Sequence, residues 1–106
     1  MRNRFMRVIV FFDLPTETKE DIRQYTKFRK YLLGQGFIMM QMSVYSKITL
    51  NGTASNTVTA NLRKNLPKAG TVQTLTITEK QFQNIEFMVG KGQKETIDTQ
   101  QRLLIL

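Results

Sequence analysis

One carboxylate stands out for where it falls. Asp13 ends the apolar run Val8-Ile9-Val10-Phe11-Phe12 and is followed by Leu14-Pro15 and a turn rich in threonine and acids. Such a run reads as a strand buried on both faces, so Asp13 sits where that strand opens to solvent. A charge buried there costs several kcal/mol unless it is paired or bound to a cation. Asp13 therefore has two readings. It accepts backbone N–H bonds in the turn before a helix, or it is a handle for a metal or a phosphate. The chain has no His and no Cys. That excludes zinc sites built on thiolate or imidazole, cysteine nucleophiles and a histidine general base. Any metal must be held by oxygen, which points to magnesium, with manganese and calcium as alternatives. One carboxylate is a sparse set for such an ion. A twofold axis near Asp13 would converge two, and a magnesium held there could act on a phosphodiester.

The second chemistry is basic. Sixteen Lys and Arg face eight Asp and Glu, a formal charge of +8. The excess predicts attraction to polyanions, chiefly nucleic acid; the competing reading is a solvated basic surface. Arg23, Lys27 and Lys30 share a helix face by their spacing, with Lys19 and Arg29 on the same helix. Arg63, Lys64 and Lys68 cluster at the end of a second helix, in a stretch from Asn51 to Thr78 that holds no acid. Arg2, Arg4 and Arg7 crowd the N-terminus, and Lys47 lies on a strand. Such side chains suit phosphate contacts, which fix position without reading sequence. The third chemistry is aromatic. Phe11, Phe12, Phe37 and Tyr45 fall on strands, where an RNA-recognition module would stack bases. Ser43-Val44-Tyr45-Ser46-Lys47-Ile48 lacks that module's Gly-aromatic pattern. Core packing is the reading for the phenylalanines, and Tyr45 is left as a stacking candidate. No catalytic triad, P-loop or dinucleotide fingerprint is present.

These residues need elements to position them. Residues 5–12 form a first strand, with Met6, Val8, Val10 and Phe12 on one face and Arg7, Ile9 and Phe11 on the other. Pro15 stops it. Thr16 or Thr18 caps a helix whose first turn holds Glu17, Glu20 and Asp21. That helix runs to about Leu33 on a stripe of Ile22, Tyr25, Phe28 and Leu32, and Gly34 and Gly36 end it. Phe37–Met40 is a second strand. Val44–Leu50 is a third, with Val44, Ile48 and Leu50 alternating against Tyr45, Lys47 and Thr49; a bulge or bend joins the two. A second helix spans Ala54–Asn65 on Val58, Leu62 and Leu66, and Pro67 ends it. Thr71–Thr78 is a fourth strand, Glu79–Phe82 a helical turn and Glu86–Val89 a brief strand. Residues 90–101 read as a mobile polar loop, and Leu103-Leu104-Ile105-Leu106 as an apolar terminal strand.

The order is that of a single α+β domain over 1–106, a ferredoxin-like βαββαβ sandwich with a C-terminal strand extension over 102–106. Two helices cover one face of the sheet. The other face carries Ile9 and Phe11, and an exposed apolar patch marks an interaction surface. The simplest cover is a twofold homodimer packed sheet to sheet, with Leu103, Leu104, Ile105 and Leu106 adding a strand at the same interface. The charged start Met1-Arg2-Asn3-Arg4 is followed by too short an apolar run for a signal peptide. No segment approaches membrane-spanning length. The expectation is a cytoplasmic protein with no membrane partner.

Several segments, taken in order, resemble one family. They are Phe11-Phe12-Asp13-Leu14-Pro15-Thr16, Tyr25-Thr26-Lys27-Phe28-Arg29-Lys30-Tyr31-Leu32, Gly36 to Lys47, Thr78-Glu79-Lys80-Gln81-Phe82 and Arg102-Leu103-Leu104-Ile105-Leu106. The family is the small universal CRISPR-associated adaptation protein, the second of the two, here of the type II sort. The resemblance implies a ferredoxin-like homodimer that binds double-stranded DNA, bridges two dimers of the CRISPR integrase and supports spacer acquisition in antiviral defence. It also implies, for some members, a metal-dependent endonuclease acting on RNA or double-stranded DNA, with the aspartate at position 13 binding magnesium at the dimer axis. It further implicates Phe12, the Ser43-Val44-Tyr45 segment, Arg23 and Arg29. Position 12 is often Tyr in the family; Phe12 supplies no hydroxyl.

Overall fold

The computed structural model describes residues 4–90. Within them the chain forms β1 (Met6–Asp13), α1 (Lys19–Gly34), β2 (Ile38–Gln41), β3 (Val44–Thr49), α2 (Gly52–Arg63), β4 (Thr71–Thr78) and α3 (Glu79–Phe82). The four strands make one antiparallel sheet in the order β2-β3-β1-β4. That is the ferredoxin-like arrangement, and it puts the apolar strand β1 in the interior. Of the described helices, none is long and apolar enough to cross a membrane.

Local chemistry fixes where α1 begins. Thr18 is the N-cap: its Oγ1 accepts from the Asp21 N–H at 3.0 Å, and Asp21 Oδ2 accepts from the Thr18 N–H at 3.1 Å. This reciprocal box satisfies two backbone donors that the helix itself leaves unpaired. At α2 the helix starts earlier than Ala54, because Asn51 Oδ1 accepts from the Ala54 N–H at 2.8 Å and acts as the cap.

Both helices pack on the face of the sheet that carries Val8, Val10 and Phe12. The core joins these to Leu14, Phe28, Leu32, Phe37, Tyr45 and Leu62, with Tyr25, Tyr31, Met39, Val58 and Val72 at its margin. Phe12 is its aromatic hub, edge-on to Phe28 at 5.2 Å and Tyr25 at 6.0 Å and stacked with Tyr45 at 5.6 Å. Pairs of this kind contribute about 0.5–1.5 kcal/mol each beyond their burial. The stripe expected on α1 is shorter than the spacing predicts: Phe28 and Leu32 are buried, but Ile22 is exposed, standing about 120° round the helix from Phe28. Leu66 is likewise exposed, past the end of α2.

Tyr45 is not available for stacking bases. Antiparallel partners share a face, and Tyr45 pairs with Val10, a core position, so its ring turns inward and is 1% exposed. Glu86–Val89 forms no strand: it has no partner strand among the described residues and continues irregularly from α3. The bend expected between the second and third strands is present as a register shift at Met39/Gln41, followed by Ser43 at φ 63. The terminal strand 102–106 and residues 91–101 of the polar loop lie outside the described residues.

Gly70 holds the sheet's end together. Its φ is +95, and a Cβ there would lie 2.7 Å from the Asp13 carbonyl oxygen and 2.8 Å from Leu14 Cδ2. Both the left-handed backbone and the close approach require glycine. Gly70→Ala should lower stability by more than about 1 kcal/mol, read as a shift in the denaturant midpoint. An unchanged midpoint would contradict the backbone contact.

Candidate functional site

The pairing register sorts the remaining side chains onto the open face. Arg7, Ile9, Phe11 and Asp13 project there from β1. Their partners Ile48, Ser46 and Val44 on β3, and Ile77, Leu75, Gln73 and Thr71 on β4, project with them. The face is apolar along its middle and ends at Asp13. Phe11, Ile48 and Leu75 are exposed at 37%, 47% and 51%, and large apolar residues left open on one face mark an interaction surface.

Part of the face is covered from within. α3 folds back across β1, and Arg7 anchors it. Arg7 Nε and Nη2 donate to Glu79 Oε1 and Oε2 at 2.8 and 2.7 Å. The guanidinium carbon also lies 4.1 Å from the centre of the Phe82 ring. The planar fork of arginine suits both partners, and lysine could not match the bidentate pair with Glu79. Arg7 reaches Ser46 Oγ as well, at 3.4 Å. So Ile9, expected at a subunit interface, is already buried at 7% exposure, while Phe11 beside it stays open. Ile9, Phe11, Met40, Val44, Phe82, Ile85 and Phe87 line an apolar groove that runs along this face. Arg7, expected to touch phosphate, is committed to the clamp.

Asp13 stands at the end of the same face, exposed. Among the described residues no backbone N–H donates to its carboxylate; the helix cap is Thr18 with Asp21. The turn-capping reading of Asp13 thus loses its bonds to a neighbour eight residues on. Two other features meet there. The Ser43 carbonyl accepts from the Phe12 N–H at 3.0 Å, and Gly70 packs under the Asp13 carbonyl. Ser43 is the one non-glycine residue with positive φ among those described. Such strain gathers at functional sites. Phe12, by contrast, is buried and acts through packing.

Whether this end fits a divalent metal depends on how many chains supply it. Among the described residues no group of three or more metal-ligating side chains assembles. Asp13 alone is a sparse set for magnesium or manganese. Two Asp13 carboxylates would be a fuller one, because magnesium keeps several waters and is bound through one or two carboxylates plus substrate phosphates.

The other basic residues sort into three regions. Arg4 is exposed beside Phe5, Thr78, Glu79 and Lys80; Arg2 lies outside the described residues. Lys19, Arg23, Lys27, Arg29 and Lys30 are exposed on α1, and Arg63, Lys64 and Lys68 on and after the end of α2. Arg23 forks onto Glu20 at 3.0 and 2.9 Å, and these bonds, with one from Gln24, hold the Glu20 carboxyl below its ordinary range. Lys47 donates to the Gln35 carbonyl and tethers the turn after α1. The fold therefore brings the α1 and α2 cations together on the helix side, opposite Asp13, and keeps Arg7 and Lys47 for itself. Glu79 and Phe82 were the important residues that sequence reasoning missed. The Thr78-Glu79-Lys80-Gln81 capping pattern marks the turn, but nothing local marks its contact with Arg7, 72 residues away.

A family model described as CRISPR associated protein Cas2 matches residues 6–85. A Treponema denticola protein named CRISPR-associated endoribonuclease Cas2 is 48% identical over 101 residues, covering 95% of this chain and 100% of its own. One of the same name from Streptococcus mutans is 46% identical over 101 residues, covering 95% of this chain and 93% of its own. A solved structure described as "Crystal structure of cas2" superposes with a TM-score of 0.56 at 18% identity, over 84% of this chain and 91% of that one, and shares the fold.

The clamp has a direct test. Arg7→Lys keeps the charge and loses the fork, and should lower stability by about 1–3 kcal/mol in denaturant unfolding. An unchanged midpoint would mean that α3 is held by something else.

Proposed function

The chain belongs to the CRISPR-associated protein Cas2 family, and from that membership we propose that it acts in CRISPR adaptation as a basic homodimer. Two copies join through their open sheet faces, hold double-stranded DNA on their basic surface, and bridge dimers of the CRISPR integrase for spacer integration. The observation that carries this reading is the open face. Phe11, Ile48 and Leu75 are exposed on it, and Phe11 lines an apolar groove with Val44, Ile85 and Phe87, with α3 covering only part of the face. A second copy is the simplest cover, because a twofold contact is self-complementary. The basic excess then doubles in the dimer, and phosphate contacts need no further catalytic equipment.

A second reading rests on Asp13 and on the relatives' name. In the dimer one carboxylate per chain becomes a pair, and the two Asp13 side chains would hold magnesium or manganese. The metal would supply Lewis acidity toward a phosphodiester. The chain's own contribution is to fix the carboxylates: Gly70 sets the Asp13 backbone, and the Ser43 carbonyl pins the end of β1. On this reading the protein is a metal-dependent endoribonuclease, or an endonuclease on double-stranded DNA. With no His in the chain, the proton from the attacking water must pass to a carboxylate or to solvent.

Two outcomes follow. Phe11→Glu places a charge in that groove and should convert a dimer to a monomer at micromolar concentration, read by light scattering; a wild-type monomer would sink the dimer. Asp13→Ala should leave DNA integration with the integrase intact while abolishing any magnesium-dependent cleavage of RNA. Loss of integration in a folded, dimeric Asp13→Ala protein would make Asp13 part of the scaffold's work. Cleavage that persists in it would remove the nuclease reading.

A further inference from the structure

On the helix side, away from Asp13, α1 and the end of α2 enclose an open cleft of about 120 Å³. Gln24, Lys27, Phe28 and Tyr31 line it from α1, and Lys64, Asn65, Leu66 and Pro67 from the far wall. Two lysines from different elements thus face one space. Neither is in an ion pair among the described residues, and no acid lines the cleft. Glu20, one turn before Gln24, is the neighbouring carboxylate on α1, and it is taken by Arg23 and by Gln24 Nε2 at 2.9 Å.

The end of α2 would ordinarily repel an anion through its unpaired carbonyls. Here two of them are occupied. The Asn61 carbonyl accepts from the Lys64 N–H at 3.1 Å and from Asn65 Nδ2 at 2.8 Å, and the Leu62 carbonyl from the Asn65 N–H at 2.9 Å. The cleft is therefore positive without a local counter-charge. Its polar groups include donors that suit an anion: two ammonium groups and the Tyr31 hydroxyl.

We infer that this cleft seats a backbone phosphate of duplex DNA between Lys27 and Lys64. This rests on the reading of the chain as a DNA-binding protein, and it names the place of contact. A polymer fits better than a single carboxylate, because the cations continue along the helix. Lys19, Arg23, Lys27 and Lys30 follow one face of α1 for about 16 Å of its axis, over which one strand of a duplex presents about five phosphates. The geometry also keeps the two surfaces apart. DNA lies against the helices while the opposite sheet face stays available for the second copy.

The test uses the full chain with Lys27→Gln and Lys64→Gln together, titrating duplex DNA across a salt series. The plot of log affinity against log salt should become shallower by about 1, and affinity should fall equally for unrelated sequences. Lys27→Arg with Lys64→Arg should restore the wild-type slope. An unchanged slope in the glutamine variant, with wild type still binding steeply, overturns the cleft and leaves DNA binding standing. A wild type that fails to bind duplex DNA at low salt overturns both. Should the double variant melt early, either single glutamine variant, at an exposed position, must give a smaller shift in the same direction; no shift in both overturns the cleft.

Discussion

The constraint on which the structure depends is that β1 is apolar on both faces and sits inside the sheet. Val8, Val10 and Phe12 demand cover on one side, and Ile9 and Phe11 on the other. The two long helices answer the first demand. The second is met only in part, by a four-residue helix that Arg7 holds down through a bidentate pair with Glu79 and a contact over Phe82. Ile9 disappears beneath that cover; Phe11 does not. What remains open is an apolar surface with a carboxylate at its end. The dimer and the paired carboxylates proposed here are both consequences of that incomplete cover.

The same constraint divides the protein's charges. A basic residue on the open face, Arg7, is consumed in holding α3. The cations on α1 and α2 lie on the far side of the sheet, where, among the described residues, Arg23–Glu20 is the one ion pair they form. That pair is exposed and joins neighbouring turns of one helix, so it is worth little to stability. A surface of this kind is suited to phosphate by its position as much as by its charge.

Much of the fold was legible because its signals are local. The apolar run, the caps and the prolines mark each element within a few residues, and the element order implies the sheet. Asp13 was legible for the same reason, since a strand end can be read from the strand. What was not legible depended on pairing. Tyr45 looked free for stacking until its partner, Val10, placed it in the core. Arg7 looked like one more N-terminal cation until Glu79 and Phe82 arrived from the other end of the domain. Ile22 continued a helical spacing but stays exposed. Steps of three residues drift round the helix, and Ile22 stands about 120° from Phe28.

In the proposed dimer the open faces of two copies meet and bring the Asp13 ends together. The chain contains no cysteine, so a single engineered one can be labelled cleanly. Spin labels at Thr71→Cys, beside Asp13 on β4, and separately at Lys30→Cys, on the helix side, give inter-subunit distances by dipolar spectroscopy. The proposed dimer predicts a defined distance from each, shorter at position 71 than at position 30. A shorter distance at position 30, or no dipolar coupling at either, would contradict it.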